Sequence, residues 1–287
     1  MKNGFLVFLA SFVVLGGSWC GFVLAPVLQL GGGKQTTILN STGLYPLDRP
    51  GMANQGLQVY RANGCAACHT EQVQQSGVAC DVVLTGDETN QKASLRAITN
   101  EIEEYHLQIN SYIGPPGQPY TILSGVSKSV ADAVSDRITA AKGKAEIHII
   151  ATGPDITRGW GRRHSVAEDF LYDDPVQLGS LRIGPDLADV GTRQPDANWQ
   201  WVHLYAPQSV VKDSAMPPFR YLFRVQKIGG APSPDALVFP KGFGPRAGYE
   251  VVPTPQAQEL AAYLLSLHAD VPLHDAPFTR SAAVSNP

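Results

Sequence analysis

Charge is scarce in this sequence. Only 16% of its 287 residues are Asp, Glu, Lys or Arg, where an ordinary soluble domain carries about a quarter. The 22 basic side chains nearly balance the 25 acidic ones, and no basic stripe stands out, so no nucleic-acid partner is expected. Cysteine is rarer, with 4 in the chain: Cys20 in an apolar run, Cys65 and Cys68 as a close pair, and Cys80 alone. Such a distribution makes no disulfide framework, and Cys80 reads as a buried free thiol. Methionine numbers 3, which leaves few sulfur donors for any metal. Against these shortages stand 28 Gly and 22 Pro, which predict many turns rather than long helices throughout.

What is present begins with a run from Gly4 to Leu30 that has no charged side chain. About 20 apolar residues suffice to cross a bilayer as a helix. A cleaved signal peptide would have a shorter apolar core and a small-x-small cleavage site, and Trp19 directly before Cys20 argues against lipoprotein processing. The reading is therefore an uncleaved anchor over residues 1–32. Lys2 on one side and Lys34 on the other do not decide its orientation. Gly31 to Gly33 and the Pro-containing stretch to Gly51 read as a linker, residues 33–51, without a regular ladder.

Helical spacing predicts a short helix over Ala53 to Ala62, ended by Asn63-Gly64, with Gly56 and Tyr60 on one face. A second helix is expected after Thr254-Pro255, an N-cap followed by proline in the first turn, with Leu260, Tyr263, Leu264 and Leu267 on its apolar side. Between Asp81 and Ile150 the texture changes. Val82 to Leu84 and Ala145 to Ile150 look strand-like, and Ser94 to Tyr105 and Ser129 to Ala141 look helical, so residues 77–157 read as a small α/β insertion. From there to the terminal helix, Pro and Gly punctuate most of the chain.

The chemistry is concentrated at Cys65-Ala-Ala-Cys68-His69. Two thiols at this spacing can reach the two vinyl groups of a porphyrin, and the adjacent histidine then faces the iron, which is the attachment pattern of c-type haem. A thioredoxin-like redox pair would need a strand upstream, which is missing; a zinc site would need a second ligand pair, and Cys80 and His106 do not form one. One covalent haem c is the expected cofactor. Met216, in a loop stiffened by Pro217 and Pro218, suits the sixth coordination position, with His203 and His164 as alternatives. A metal-bound histidine usually donates its other ring hydrogen to a carbonyl, and Pro185 is a candidate to supply it. Arg162, Arg163, Arg182 and Arg193 are candidates to neutralise the haem propionates, one or two of the four doing so. Trp160, Trp199 and Trp201 are expected to cover haem or core surface. A six-coordinate iron leaves no open position for substrate, so the chain by itself is not expected to be an enzyme.

With these residues in view, the sequence resembles the monohaem cytochrome c subunit of cbb3-type cytochrome c oxidases, called FixO or subunit II. The matching text is Val59 to Cys65, Cys68-His69-Thr70, Tyr172 to Pro175, Gly184 to Leu187 with Val190-Gly191, His203-Leu204, Pro207 to Ser209, and Ser214 to Pro217. The resemblance implies His69 and Met216 as axial ligands, Cys65 and Cys68 as thioether anchors, and a mainly α fold: an N-terminal transmembrane helix, a class I-like cytochrome c domain over 52–76 and 158–270 carrying the small α/β insertion, and a C-terminal tail over 271–287. It implies a bacterial inner membrane location with the haem domain on the periplasmic side. It also implies relay of electrons, with a dihaem cytochrome c partner, to a haem-copper catalytic subunit. The insertion resembles the C-terminal domain of the ribosomal stalk protein, through Asp81 to Thr85, Gly125 to Lys128 and Lys144 to Ile147, and reads as a borrowed fold without ribosomal function. Two other readings stay open: the anchored cytochrome of another respiratory complex such as nitric oxide reductase, and an assembly module working through the insertion.

Overall fold

A computed structural model describes residues 3–30, 33–39, 41–98 and 118–273. The chain opens with helix α1 (Gly4–Trp19), one π-helical segment (Cys20–Leu24) and α2 (Ala25–Leu30). Together they are long and apolar enough to cross a membrane, and none of that apolar window packs against the rest of the protein. The π-segment has an identifiable cause. Pro26 lacks an N–H and its ring crowds the preceding turn, and just before it the Ala25 N–H reaches back to the Cys20 carbonyl, five residues away, which widens the turn.

The stretch expected to lack a ladder holds a minimal one. Strands β1 (Thr36–Thr37) and β2 (Leu44–Tyr45) pair antiparallel across a turn, closed by the Ile38 N–H on the Gly43 carbonyl. The reason lies downstream: Tyr45 is buried and donates to Asp169 and to the His268 carbonyl, each at 2.8 Å, so tertiary contacts fix a segment whose local sequence does not.

Helix α3 (Gly51–Ala62) ends at Asn63, with Gly64 in the left-handed region at φ 67°, a position favouring residues without a Cβ. The buried face of α3 carries Ala53, Gly56, Leu57 and Tyr60 and crosses the terminal helix α9 (Pro255–Leu265). The crossing is close because Gly56 has no side chain: a Cβ there would lie 1.9 Å from the Glu259 carbonyl oxygen. Tyr60 and Tyr263 meet in the seam with ring centroids 5.1 Å apart. The start of α9 follows the N-cap expectation, the Thr254 hydroxyl accepting from the Ala257 N–H and Pro255 occupying the first turn.

Residues 77–152 form a separate sheet with its own core. Strands β3 (Gly77–Thr85), β4 (Tyr120–Val126) and β5 (Lys144–Thr152) lie in the order β4-β3-β5, all antiparallel, with helices α4 (Glu88–Ala97) and α5 (Lys128–Ala140). Cys80, Val82, Leu84, Ile122, Val134 and Ile138 pack beneath the sheet; Cys80 is a fully buried free thiol. Strand β4 has no expectation behind it, because Thr121-Ile122-Leu123-Ser124 does not alternate and Gly125 sits at φ 71° beside register shifts. Helix α4 begins six residues before the expected Ser94. The rest of the expected helix to Tyr105, His106, and the tail beyond 273 fall outside the described residues.

The segment from 154 onward holds more regular structure than its Pro and Gly content indicates. It contains α6 (Pro154–Thr157), α7 (Val190–Arg193), α8 (Ala197–Tyr205) and a hairpin of β6 (Phe223–Lys227) and β7 (Tyr249–Pro253). The Asp196 carboxylate caps α8 by accepting from the Asn198 and Trp199 N–H groups at 3.0 and 3.2 Å. Apart from α6, whose Ile156 packs against Val73, Ala188 and Ala269, these elements pack with α3 and α9 into one core that includes Leu57, Tyr60, Leu204, Leu222, Leu260 and Tyr263.

Gly56→Val should force the two helices apart, and overpacking of this kind costs about 1–3 kcal/mol. The expected outcome is a melting temperature lowered by roughly 4–10 °C, read by circular dichroism on the full chain in detergent; an unchanged melting temperature would mean the crossing is not tight.

Candidate functional site

The segment after α3 is held by backbone contacts rather than by regular structure. Residues Cys65–Ala67 form a single 3-10 turn in which the His69 N–H donates to the Cys65 carbonyl at 3.0 Å. A loop over residues 178–187 then lies along it: Ser180 N–H donates to Ala66, Gly184 N–H to Cys68 and Leu187 N–H to Thr70, at 2.9, 2.9 and 2.7 Å. The buried Asp186 carboxylate ties the same two segments, accepting from the Thr70 hydroxyl at 2.5 Å and the Gln72 N–H at 2.8 Å.

This apposition fixes the His69 ring. Its Nδ1 lies 2.8 Å from the Pro185 carbonyl oxygen, and since a carbonyl only accepts, Nδ1 carries the proton and the Nε2 lone pair is left free. The ring lies flat against Gly184, where a Cβ would come within 2.2 Å of Cε1; a Cβ on Gly179 would come as close to the His69 carbonyl oxygen. Burial first, then the Arg193 charge, hold the His69 pKa below its usual value despite the Pro185 bond and Asp186, which favours the neutral imidazole that metals bind.

Beside the ring is an apolar cavity of about 240 Å³ whose lining includes Cys65, His69, Pro185 and Met216. Cys68 is half-buried next to it and is not part of the lining. Apolar contacts come from Leu187, Val190, Leu260 and Leu264. Burial pushes the Cys65 thiol up to about 12, far from the depressed values of reactive redox pairs. Met216 sits in the loop after α8, its N–H on the Ser214 hydroxyl at 3.3 Å. His203 also lines the cavity, stacked on Trp199 with centroids 4.8 Å apart; burial, then His69, lower its pKa to about 4. His164 is elsewhere, exposed and bound to Gln75. Trp160 and Trp199 line the cavity, whereas Trp201 packs against the main core.

The donor set fits a haem. A thiol, a neutral imidazole and a thioether share one apolar space, and a polar atom of a cavity-lining residue, Arg193 Nη1, is buried without a hydrogen-bond partner among the described residues. Among the described residues no three His, Cys, Asp or Glu side chains gather as a metal cluster. The propionate candidates separate: Arg163 is bidentate on Asp169 at 2.7 and 2.9 Å, and Arg182 shares Nη1 between the two Asp155 oxygens at 2.6 and 2.8 Å.

The resemblance to FixO holds over residues 151–231, which match the family model described as cytochrome C oxidase, mono-heme subunit/FixO. By that description FixO is a one-haem subunit of a cytochrome c oxidase. The matched span covers less than a third of the chain, holds Pro185, Asp186, Arg193, His203 and Met216, and begins after Cys65–His69. No curated protein matches the chain.

Several supporting residues are not visible as motifs. Glu71 is buried and accepts from the Tyr263 hydroxyl at 2.9 Å on both oxygens, facing a second cavity of about 470 Å³ that Arg49 and Asp173 also line. Burial raises its pKa from 4.5 to about 8, with Asp173 adding to the shift and Tyr263 and Arg49 opposing it. Its place two residues after the histidine gives no hint of this, because the shift comes from burial that only the folded chain creates.

Folded Glu71 holds its proton more tightly than the unfolded chain does, so its stabilising contribution is complete below about pH 4.5 and is lost as pH rises through about 8. Glu71→Gln should therefore gain stability relative to wild type between pH 5 and pH 8. Urea unfolding of the two proteins at both pH values checks this, and a difference independent of pH would refute it.

Proposed function

We propose that this chain is the membrane-anchored monohaem c-type cytochrome of a cbb3-type terminal oxidase. What supports it most is a single arrangement: Cys65, His69 and Met216 on the lining of one apolar cavity, with the imidazole oriented by Pro185. In this reading Cys65 and Cys68 hold the haem by thioether bonds and His69 and Met216 bind its iron. Haem supplies a one-electron couple. The chain supplies the rest: Pro185 fixes the tautomer, Gly184 lets the ring lie against the loop, and the apolar lining excludes water. A thioether ligand raises the reduction potential relative to a second nitrogen ligand.

The fold over 52–76 and 158–270 is read as a class I-like cytochrome c domain. The N-terminal helix is read as an uncleaved anchor in a bacterial inner membrane, with the haem domain periplasmic because c-type haem is attached there. The partners are then a haem-copper catalytic subunit and a dihaem cytochrome c. The sheet over 77–157 is read as a stalk-protein-like domain inserted in the cytochrome.

A pyridine haemochrome spectrum of the detergent-solubilised chain should give one c-type haem per polypeptide, and a haem-copper subunit should copurify from the native membrane. Porphyrin extractable by acid and organic solvent would end this reading. Met216→Leu should lower the reduction potential and open the ferrous iron to carbon monoxide; an unchanged visible spectrum with added carbon monoxide would remove Met216 as the ligand.

A further inference from the structure

Arg162, Arg163, Arg182 and Arg193 are the arginines expected to meet the carboxylates of a haem, and their surroundings separate them. Arg163 gives Nη1 and Nη2 to Asp169 and Nε to the Val271 carbonyl. Arg182 gives Nη1 to Asp155 and Nη2 to the Gln72 carbonyl. Arg162 is exposed and lines a cleft beside β5 that Arg193 also borders, but it is not part of the cavity lining. Arg193 differs from all three. It lines the cavity, its Nη2 donates to the Asp186 carbonyl at 2.7 Å, and its Nη1 is buried without a hydrogen-bond partner among the described residues.

A buried guanidinium N–H without an acceptor is costly, and the nearby charges of Asp186 and Asp189 offset the cation without their carboxylates bonding to Nη1. A carboxylate arriving from the cavity would supply the missing acceptor in a charge-assisted hydrogen bond. Asp186 also clamps Thr70 and Gln72, so the carbonyl that positions Arg193 belongs to the residue that positions the histidine segment.

We propose that Arg193 binds a propionate carboxylate of the haem through Nη1 and so sets part of the reduction potential. This rests on the haem reading above. Arg158 is the competing cation: it also lines the cavity, but its side chain is 58% exposed, lies over Trp160, and reaches Asp155 only at 3.9 Å. Screening by water weakens an exposed charge.

The test uses the full chain in detergent, loaded with haem, as wild type, Arg193→Gln, Arg193→Lys and Arg158→Gln. Arg193→Gln should keep one haem per chain and shift the one-electron equilibrium toward the oxidised form about tenfold, about 59 mV downward. Arg193→Lys keeps the cation and should recover most of that shift, while its propionate bending band in the resonance Raman spectrum moves because the planar fork is lost. Arg158→Gln should stay near wild type. Equal potentials and Raman bands in wild type and both Arg193 variants would overturn the assignment, as would a potential that follows Arg158 instead. Should Arg193→Gln fail to accumulate, the Raman band of Arg193→Lys decides. Absence of covalent haem from the wild type would defeat the functional reading itself, an outcome distinct from haem-loaded variants with unaltered potentials.

Discussion

The site depends on two stretches of backbone passing at hydrogen-bond distance, residues 66–71 and the loop over 178–187. Nothing about either stretch is regular, yet each donates or accepts at several successive positions, and a buried carboxylate, Asp186, closes the seam. The imidazole of His69 is oriented as a by-product of that seam, since Gly184 and Pro185 reach the ring only when the loop is fully seated. Ring orientation, cavity shape and the course of the chain from α3 are therefore a single constraint.

Sequence made the two ends of this arrangement legible and left the middle dark. The Cys65-to-His69 spacing, the turn at Gly64 and the cap at Thr254-Pro255 are local signals, because each depends on residues within one turn of one another. The tight α3–α9 crossing was half visible: Gly56 and Tyr60 share a face in the sequence, but the partner carbonyl at Glu259 is 203 positions away and could not be guessed. Pairing of Arg182 with Asp155, 27 positions apart, was invisible for the same reason, and Arg163 reaches Asp169 across a loop with no regular spacing to announce it. All four arginines look alike as letters, and only burial and partners separate them.

The elements that sequence patterns missed share a cause. Strands β4 and β7 lack strict alternation, and although Phe223 to Gln226 in β6 does alternate, Gly125 and the Pro-rich connection between β6 and β7 look like breakers when read alone. Tertiary pairing overrides such local preference. The short ladder of β1 and β2 behaves likewise, held by the Tyr45 hydroxyl and not by any propensity of Thr36 or Leu44.

Strands β3 and β5 run side by side to their outer ends, with Gly77 opposite Thr152 and the Ser76 N–H on the Thr152 carbonyl. The polypeptide thus leaves and re-enters the main core at neighbouring points, as two wires enter a plug. Immediately flanking that junction, the Gln74 N–H and both Arg182 contacts converge on the buried Asp155. A displacement of the sheet is thereby linked, through one carboxylate and Arg182, to the loop that cradles the imidazole, which makes the sheet a mechanical handle on the orientation of the His69 ring.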